Sequence, residues 1–208
     1  MDDYILEIPN FVSKELCNKI VQIFESDTRK KHVPAFYNVC GKKYMAGKFS
    51  EEIVMVNHKE YEDLLKPVHE LFFEIYDKYL EHLDINFKHL NKNDYVHPYI
   101  REIKSNKEVA VRSGLVLHKI DKGQLYSWHH DHAWRNCNGF IQAIIYLNTL
   151  EEDEGGHTEF TNGRKVRPEI GKVLVYPRSW TFLHKGNEIL GNNPKYICTA
   201  DILITFKE

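Results

Sequence analysis

The sequence predicts a mainly β domain of the α+β kind, a barrel or jelly roll carrying N-terminal helices on one sheet. Two observations predict it. From Val109 onward, short β-type runs alternate with turns, at 111–120, 124–131, 140–148, 157–161, 172–176, 180–185 and 195–206. Turn signals separate the runs: Asp121-Lys122-Gly123, Glu154-Gly155-Gly156, Asn162-Gly163 and Gly191-Asn192-Asn193-Pro194. Upstream of residue 109 the periodicity is helical, so the helices have a sheet to cover.

The elements follow in order. Residues 4–8 read as a short strand. Ser13 is placed to cap a helix in which Leu16, Ile20, Ile23 and Phe24 recur at helical spacing through about Ser26. The stretch 29–50 is basic and aromatic and reads as loop with short strand pieces. Residues 58–83 form a second helical region. Its apolar stripe is Leu64, Val68, Leu71, Phe72, Ile75, Tyr79 and Leu83, and Pro67 is expected to mark a break or a new first turn. Residues 86–108 are polar and irregular. The chain is read as one domain over 1–208, with 1–108 as a helical and irregular support region and 109–208 as the β core.

Bulk properties exclude several classes. The chain has 208 residues, 42% of them hydrophobic, enough for a sizeable core. Its net charge is −2 with histidine neutral, and basic clusters such as Arg29-Lys30-Lys31 have acidic neighbours. Neither a nucleic-acid partner nor a membrane partner is expected. Cys17, Cys40, Cys137 and Cys198 form no C-x-x-C pair and read as reduced thiols. No apolar run has the length of a membrane span, and MDDYILEI has no signal-like apolar region. A cytoplasmic location is the expectation.

The chemistry concentrates in the last third. His129 and Asp131 lie two apart in a β-type run, and successive strand side chains point to opposite faces, so the two share a face. His184 closes another run and is the choice for a second imidazole. Two histidines and a carboxylate on one side of a metal, with the other side open, suit a non-haem Fe(II). His130 and His132 are also two apart, and would serve a zinc-type or structural role instead. Lys195 and Thr199 are cofacial on the final run and suit an acidic co-substrate. Gln142 and Tyr146 share a face of the run 140–148.

Residues 115–206 resemble the catalytic domain of the 2-oxoglutarate- and Fe(II)-dependent dioxygenase superfamily, in its prolyl 4-hydroxylase-like branch. The resemblance is carried by Gly123, Tyr126, His129 and Asp131, by Arg135 with Tyr146-Leu147-Asn148, and by Gly155-Gly156, Thr158 and Phe160. It continues through Pro168, Gly171 and Tyr176-Pro177 to His184, Gly186, Gly191 and Lys195-Tyr196. It implies a double-stranded β-helix fold of the jelly-roll, cupin-like type. It also implies Fe(II) on His129, Asp131 and His184, with 2-oxoglutarate and dioxygen as co-substrates and ascorbate as an accessory reductant. Lys195 would hold the far carboxylate of 2-oxoglutarate, with Tyr146, Thr199 and Tyr126 as further contacts. Ile120, Gln142 and Asp201 depart from the tyrosine, threonine and tryptophan common in the branch, and the His184-to-Lys195 spacing is one residue longer than usual.

The activity implied is hydroxylation of an unactivated C–H bond. The substrate reading favoured is a peptidyl proline or other protein side chain, with a free amino acid or small metabolite as the alternative. A non-catalytic binding domain on the same fold is the remote one. Candidate substrate contacts are Trp134, Arg135, Gln142 and Trp180, with Tyr37, Tyr44 and Arg178 as further ones.

Overall fold

A computed structural model describes residues 2–32, 36–39, 42–45, 47–55, 58–95, 110–112, 115–131 and 139–204. The first half runs β1 (Leu6–Ile8), α1 (Lys14–Ser26), β2 (Lys31–His32), β3 (Phe36–Val39), β4 (Lys42–Met45), β5 (Glu51–Val54), α2 (Glu62–Asn86) and α3 (Lys92–Tyr95). Short strands follow: β6 (Ala110–Arg112), β7 (Val116–Ile120), β8 (Tyr126–His129), β9 (Gly139–Tyr146) and β10 (Thr158–Phe160). The chain ends on β11 (Lys165–Val166), β12 (Val173–Pro177), β13 (His184–Gly186) and β14 (Lys195–Ile204).

Two antiparallel sheets make the body. The larger has the order β1-β12-β9-β14-β7-β5-β2, with β6 also paired to β14. The smaller has the order β11-β10-β13-β8, and β3 and β4 form a separate hairpin. Apart from the β10–β11 hairpin, neighbouring strands in each sheet come from distant parts of the chain, which is the double-stranded β-helix arrangement expected from the sequence.

Strand alternation divides the large sheet into two faces. Ile141, Ala143 and Ile145 of β9, Val173 and Val175 of β12, and Cys198 and Ala200 of β14 point one way. They share a core with Cys17, Ile20 and Phe24 of α1 and Val68, Phe72, Ile75 and Tyr79 of α2. The helices therefore cover the outer face of one sheet, as their apolar stripes require. The opposite residues, Ile144, Tyr146, Leu174 and Tyr176, turn inward and pack with Phe160, Val166 and Phe182 between the sheets.

α1 begins where the sequence places it: Ser13 Oγ accepts the Leu16 N–H at 3.2 Å. α2 corrects one expectation, because Pro67 lies inside it and neither breaks it nor starts it. The N–H that proline lacks would have gone to the Asp63 carbonyl, so a single bond near the first turn is lost. The buried stripe from Leu64 to Leu83 outweighs that loss. The run expected at 180–185 is also shorter than read, since β13 begins only at His184. β5 is the element the sequence hid, and it joins the large sheet beside β7 through Glu52↔His118 and Ile53↔Leu117.

Candidate metal centre and co-substrate cavity

β8 and β13 pair antiparallel with His129 opposite His184, which brings two histidines 55 positions apart in number onto one small sheet. Asp131 follows two residues after His129. The three side chains each offer a ligand atom, and these atoms lie within 4.8 Å of one another. His129 Nε2 is 3.7 Å from Asp131 Oδ1, and His184 Nε2 is 3.4 Å from Asp131 Oδ2.

The backbone fixes which nitrogens are free. His129 Nδ1 lies 2.8 Å from the Ser127 carbonyl, and His184 Nδ1 lies 3.0 Å from the Phe182 carbonyl. A carbonyl only accepts, so each Nδ1 carries a proton, which leaves each Nε2 as the atom that would bind a metal. Both Nε2 atoms face the Asp131 carboxylate. Burial, with His184 adding to it, pushes His129 down to about 3 and so keeps it neutral. Burial opposes ionisation of Asp131, but His184, His129 and the Tyr176 hydroxyl outweigh it and hold the carboxyl below its ordinary value. Two neutral imidazoles and a carboxylate fit Fe(II) and leave its other positions open.

Tyr176, on β12, supports this set from the large sheet. Its hydroxyl donates to Asp131 Oδ2 at 2.8 Å and lies 3.0 Å from His184 Nε2. The phenol has a single proton, and once a metal occupies Nε2 that proton belongs to Asp131. Arg178 donates from Nε to the Asp131 carbonyl and pairs with Asp201 at 2.9 Å.

A cavity of about 300 Å³ opens between the sheets above the three ligands. Its lining includes Tyr126, His129, Asp131, Gln142, Tyr176, Arg178, His184, Lys195 and Thr199. Lys195 is buried, and its ammonium donates to the Gly156 carbonyl at 2.6 Å. Among the described residues no carboxylate is within ion-pair range of it, and burial pushes it down to about 7. It is a cation placed for an anion. Gly156 and its neighbour Gly155 make this turn possible, since a Cβ at Gly155 would stand 2.3 Å from the Glu188 carbonyl oxygen.

Most of the other residues singled out from the sequence converge here. Tyr126 stacks on His129 with ring centroids 3.5 Å apart. Tyr146 lies beneath the cavity floor, its hydroxyl 2.8 Å from the lining Thr158 and its ring 5.4 Å from the Lys195 ammonium. Gln142 sits opposite Asp201 across the β9–β14 ladder and lines the same cavity. Trp180 is 67% exposed and is not part of the lining among the described residues. Trp134 and Arg135 lie outside the described residues, as do the side chains of Tyr37 and Tyr44. His130 is exposed on the other side of β8's end, and His132 is outside the described residues.

Several lining residues were not singled out, Glu52 and His118 among them. Glu52 enters from β5, and His118 enters from β7. His118 was recoverable from parity, being two residues before Ile120 and so on the same face. Nothing in Glu51-Glu52-Ile53-Val54 marks Glu52 as anything but a surface acid.

Residues 115–200 match the family described as the 2OG-Fe(II) oxygenase superfamily. That stretch holds all three candidate metal ligands and Lys195. No curated protein matches the chain. Among solved structures, the viral collagen prolyl hydroxylase of Paramecium Bursaria Chlorella virus-1 is similar at 16% identity and TM-score 0.57, covering 97% of each chain. A Pseudomonas putida prolyl-4-hydroxylase is similar at 11% identity and TM-score 0.60, over 98% of this chain and 94% of that one. A Trichoplax adhaerens prolyl hydroxylase, solved with a hypoxia-inducible factor peptide fragment, is similar at 13% identity and TM-score 0.63. That match covers 97% of this chain and 84% of the other. At such identities the likeness is one of fold. Within the described residues, no helix is long and apolar enough to cross a membrane.

Proposed function

We propose, for a chain whose residues 115–200 form a 2OG-Fe(II) oxygenase domain of prolyl hydroxylase-like fold, that it hydroxylates a C–H bond of a protein side chain, peptidyl proline first. In this reading His129, Asp131 and His184 hold the iron and Lys195 anchors the far carboxylate of 2-oxoglutarate. The observation that carries it is one cavity with a three-ligand metal set on one wall and a buried ammonium on another. When bound, the iron and 2-oxoglutarate supply dioxygen activation coupled to loss of carbon dioxide and formation of succinate.

The residues of the chain supply the rest. The two carbonyl-bound imidazoles and the Tyr176-bound carboxylate present their lone pairs already oriented, so little reorganisation is needed on loading. Ile144, Ile197 and Tyr126 line the same cavity and would limit water around the keto acid. The cavity's mouth places the substrate carbon, and no side-chain general base is assigned to the C–H step.

A peptide substrate is supported by likeness to prolyl hydroxylases, one of them solved with a peptide. A free amino acid or small metabolite is the second reading, favoured by a specific feature. Two charged pairs, Lys48–Glu52 and Arg178–Asp201, line the cavity and suit a small charged substrate. Succinate release stimulated by proline-rich peptides, against release stimulated by free amino acids, separates the two. Stimulation by free amino acids alone would sink the peptide reading.

A further inference from the structure

The part of the cavity lining carried by β5, β7 and β14 holds a chain of hydrogen bonds that the proposed reaction leaves unused. His118 Nδ1 lies 3.0 Å from Glu52 Oε1, and His118 Nε2 lies 2.9 Å from Thr199 Oγ1. Glu52 also accepts from Ser50 Oγ at 2.7 Å and from the Lys48 ammonium. All of these residues line the cavity. Lys48, Glu52 and Lys195 are the charged groups facing His118 from the neighbouring elements.

The protons on this chain can be counted. Burial opposes ionisation of Glu52, but the hydrogen bond from His118 and the Lys48 ammonium outweigh it and hold the group as a carboxylate, which only accepts. His118 Nδ1 therefore carries a proton. Burial favours the neutral imidazole, so Nε2 carries none and must accept. The Thr199 hydroxyl then spends its single proton on His118 and turns lone pairs toward the cavity. An anion placed beside it would meet those lone pairs.

We propose that His118 is a positioning residue of the co-substrate cavity, which decides whether Thr199 offers a bound carboxylate its proton or its lone pairs. The inference rests on the reading that Thr199 faces 2-oxoglutarate. On binding, His118 takes one proton from solvent at Nε2. That N–H then donates to Thr199 Oγ1, and the hydroxyl proton is released to point at a carboxylate oxygen. Binding of the keto acid is thereby accompanied by net proton uptake and strengthens as pH falls.

The test is titration calorimetry of 2-oxoglutarate into the full chain loaded anaerobically with Fe(II). Buffers of different ionisation enthalpy then report the protons exchanged. The His118→Gln variant keeps a donor for Glu52 and an acceptor for Thr199 but stays neutral at every pH. Lys195 also takes up protons on binding in both proteins, and a charged His118 facing it can only reduce that uptake in wild type, so an excess in wild type reports His118. Wild type is expected to take up close to one more proton. Its affinity should then fall with rising pH by about tenfold more per pH unit than that of the variant. Thr199→Val, which cuts the chain at its other end, is expected to lose the same excess. Equal uptake in wild type and both variants would overturn the role of His118 while leaving the co-substrate site standing. Absence of 2-oxoglutarate binding to loaded wild type would overturn the site itself, and this inference with it.

Discussion

His129 and His184 stand opposite one another across the β8–β13 ladder, with ring centroids 4.2 Å apart. That single register places two imidazoles from separate turns of the chain on one metal face. A shift of one residue in either strand would send one of them to the other side of the sheet. The arrangement leads to tests of the site's supports as well as of its ligands.

The Tyr176 hydroxyl holds Asp131 in the orientation a metal needs. Tyr176→Phe keeps the packing against Phe160 and removes only that hydroxyl. Fe(II) affinity is expected to weaken by about 10- to 100-fold, with the unfolding midpoint nearly unchanged. Competition with a chromogenic chelator measures it. Unchanged affinity would show that Asp131 needs no such support.

Lys195 is a buried cation without a carboxylate partner among the described residues. Lys195→Met removes the cost of burying that charge. The variant free of metal and co-substrate is expected to gain stability, on the order of 2 kcal/mol near pH 7. It is also expected to lose 2-oxoglutarate binding. Denaturant unfolding and calorimetry check the two halves separately. A variant that is less stable and still binds the keto acid would contradict the role given to Lys195.

Acid should weaken the metal-free protein earlier than carboxylate titration alone would. His129 is held at about 3 and His118 below its ordinary value, both by burial. In the unfolded chain both protonate near pH 6.5. Below that pH the unfolded state binds more protons than the folded one, so stability falls as pH falls. Each histidine contributes up to about 1.4 kcal/mol per pH unit until its folded value is reached. Glu52, at about 2, keeps its charge through this window. Denaturant midpoints at pH 7.5 and 5.5 are expected to differ in that direction. Equal midpoints would mean that the imidazoles are not buried as neutral groups.

Much of the metal set was legible in the sequence, although strand parity is not the whole reason. β8 ends at His129, and Asp131 two residues beyond it still turns to the same side; His184, read as closing a run, opens β13 and completes the set. The alternation of the final strand likewise brought Lys195 and Thr199 together on the cavity side. Parity acts only within one strand, however. Glu52 and His118 become neighbours through the β5–β7 ladder, and the four residues of β5 carry no signal of their pairing partner. Pro67 was misread for the opposite reason: a local rule spoke clearly and long-range packing of α2 overrode it. Trp180, an aromatic near the site in sequence, follows β12 out of the cavity to the surface.

The most direct test of the whole account is anaerobic absorption on adding Fe(II) and then 2-oxoglutarate, with His184→Ala beside wild type. A visible metal-to-ligand charge-transfer band in wild type, absent from the variant, is the predicted result. Wild type that is folded and loaded with both components yet gives no band would contradict the assignment of His129, Asp131 and His184 as an iron site for a chelated keto acid.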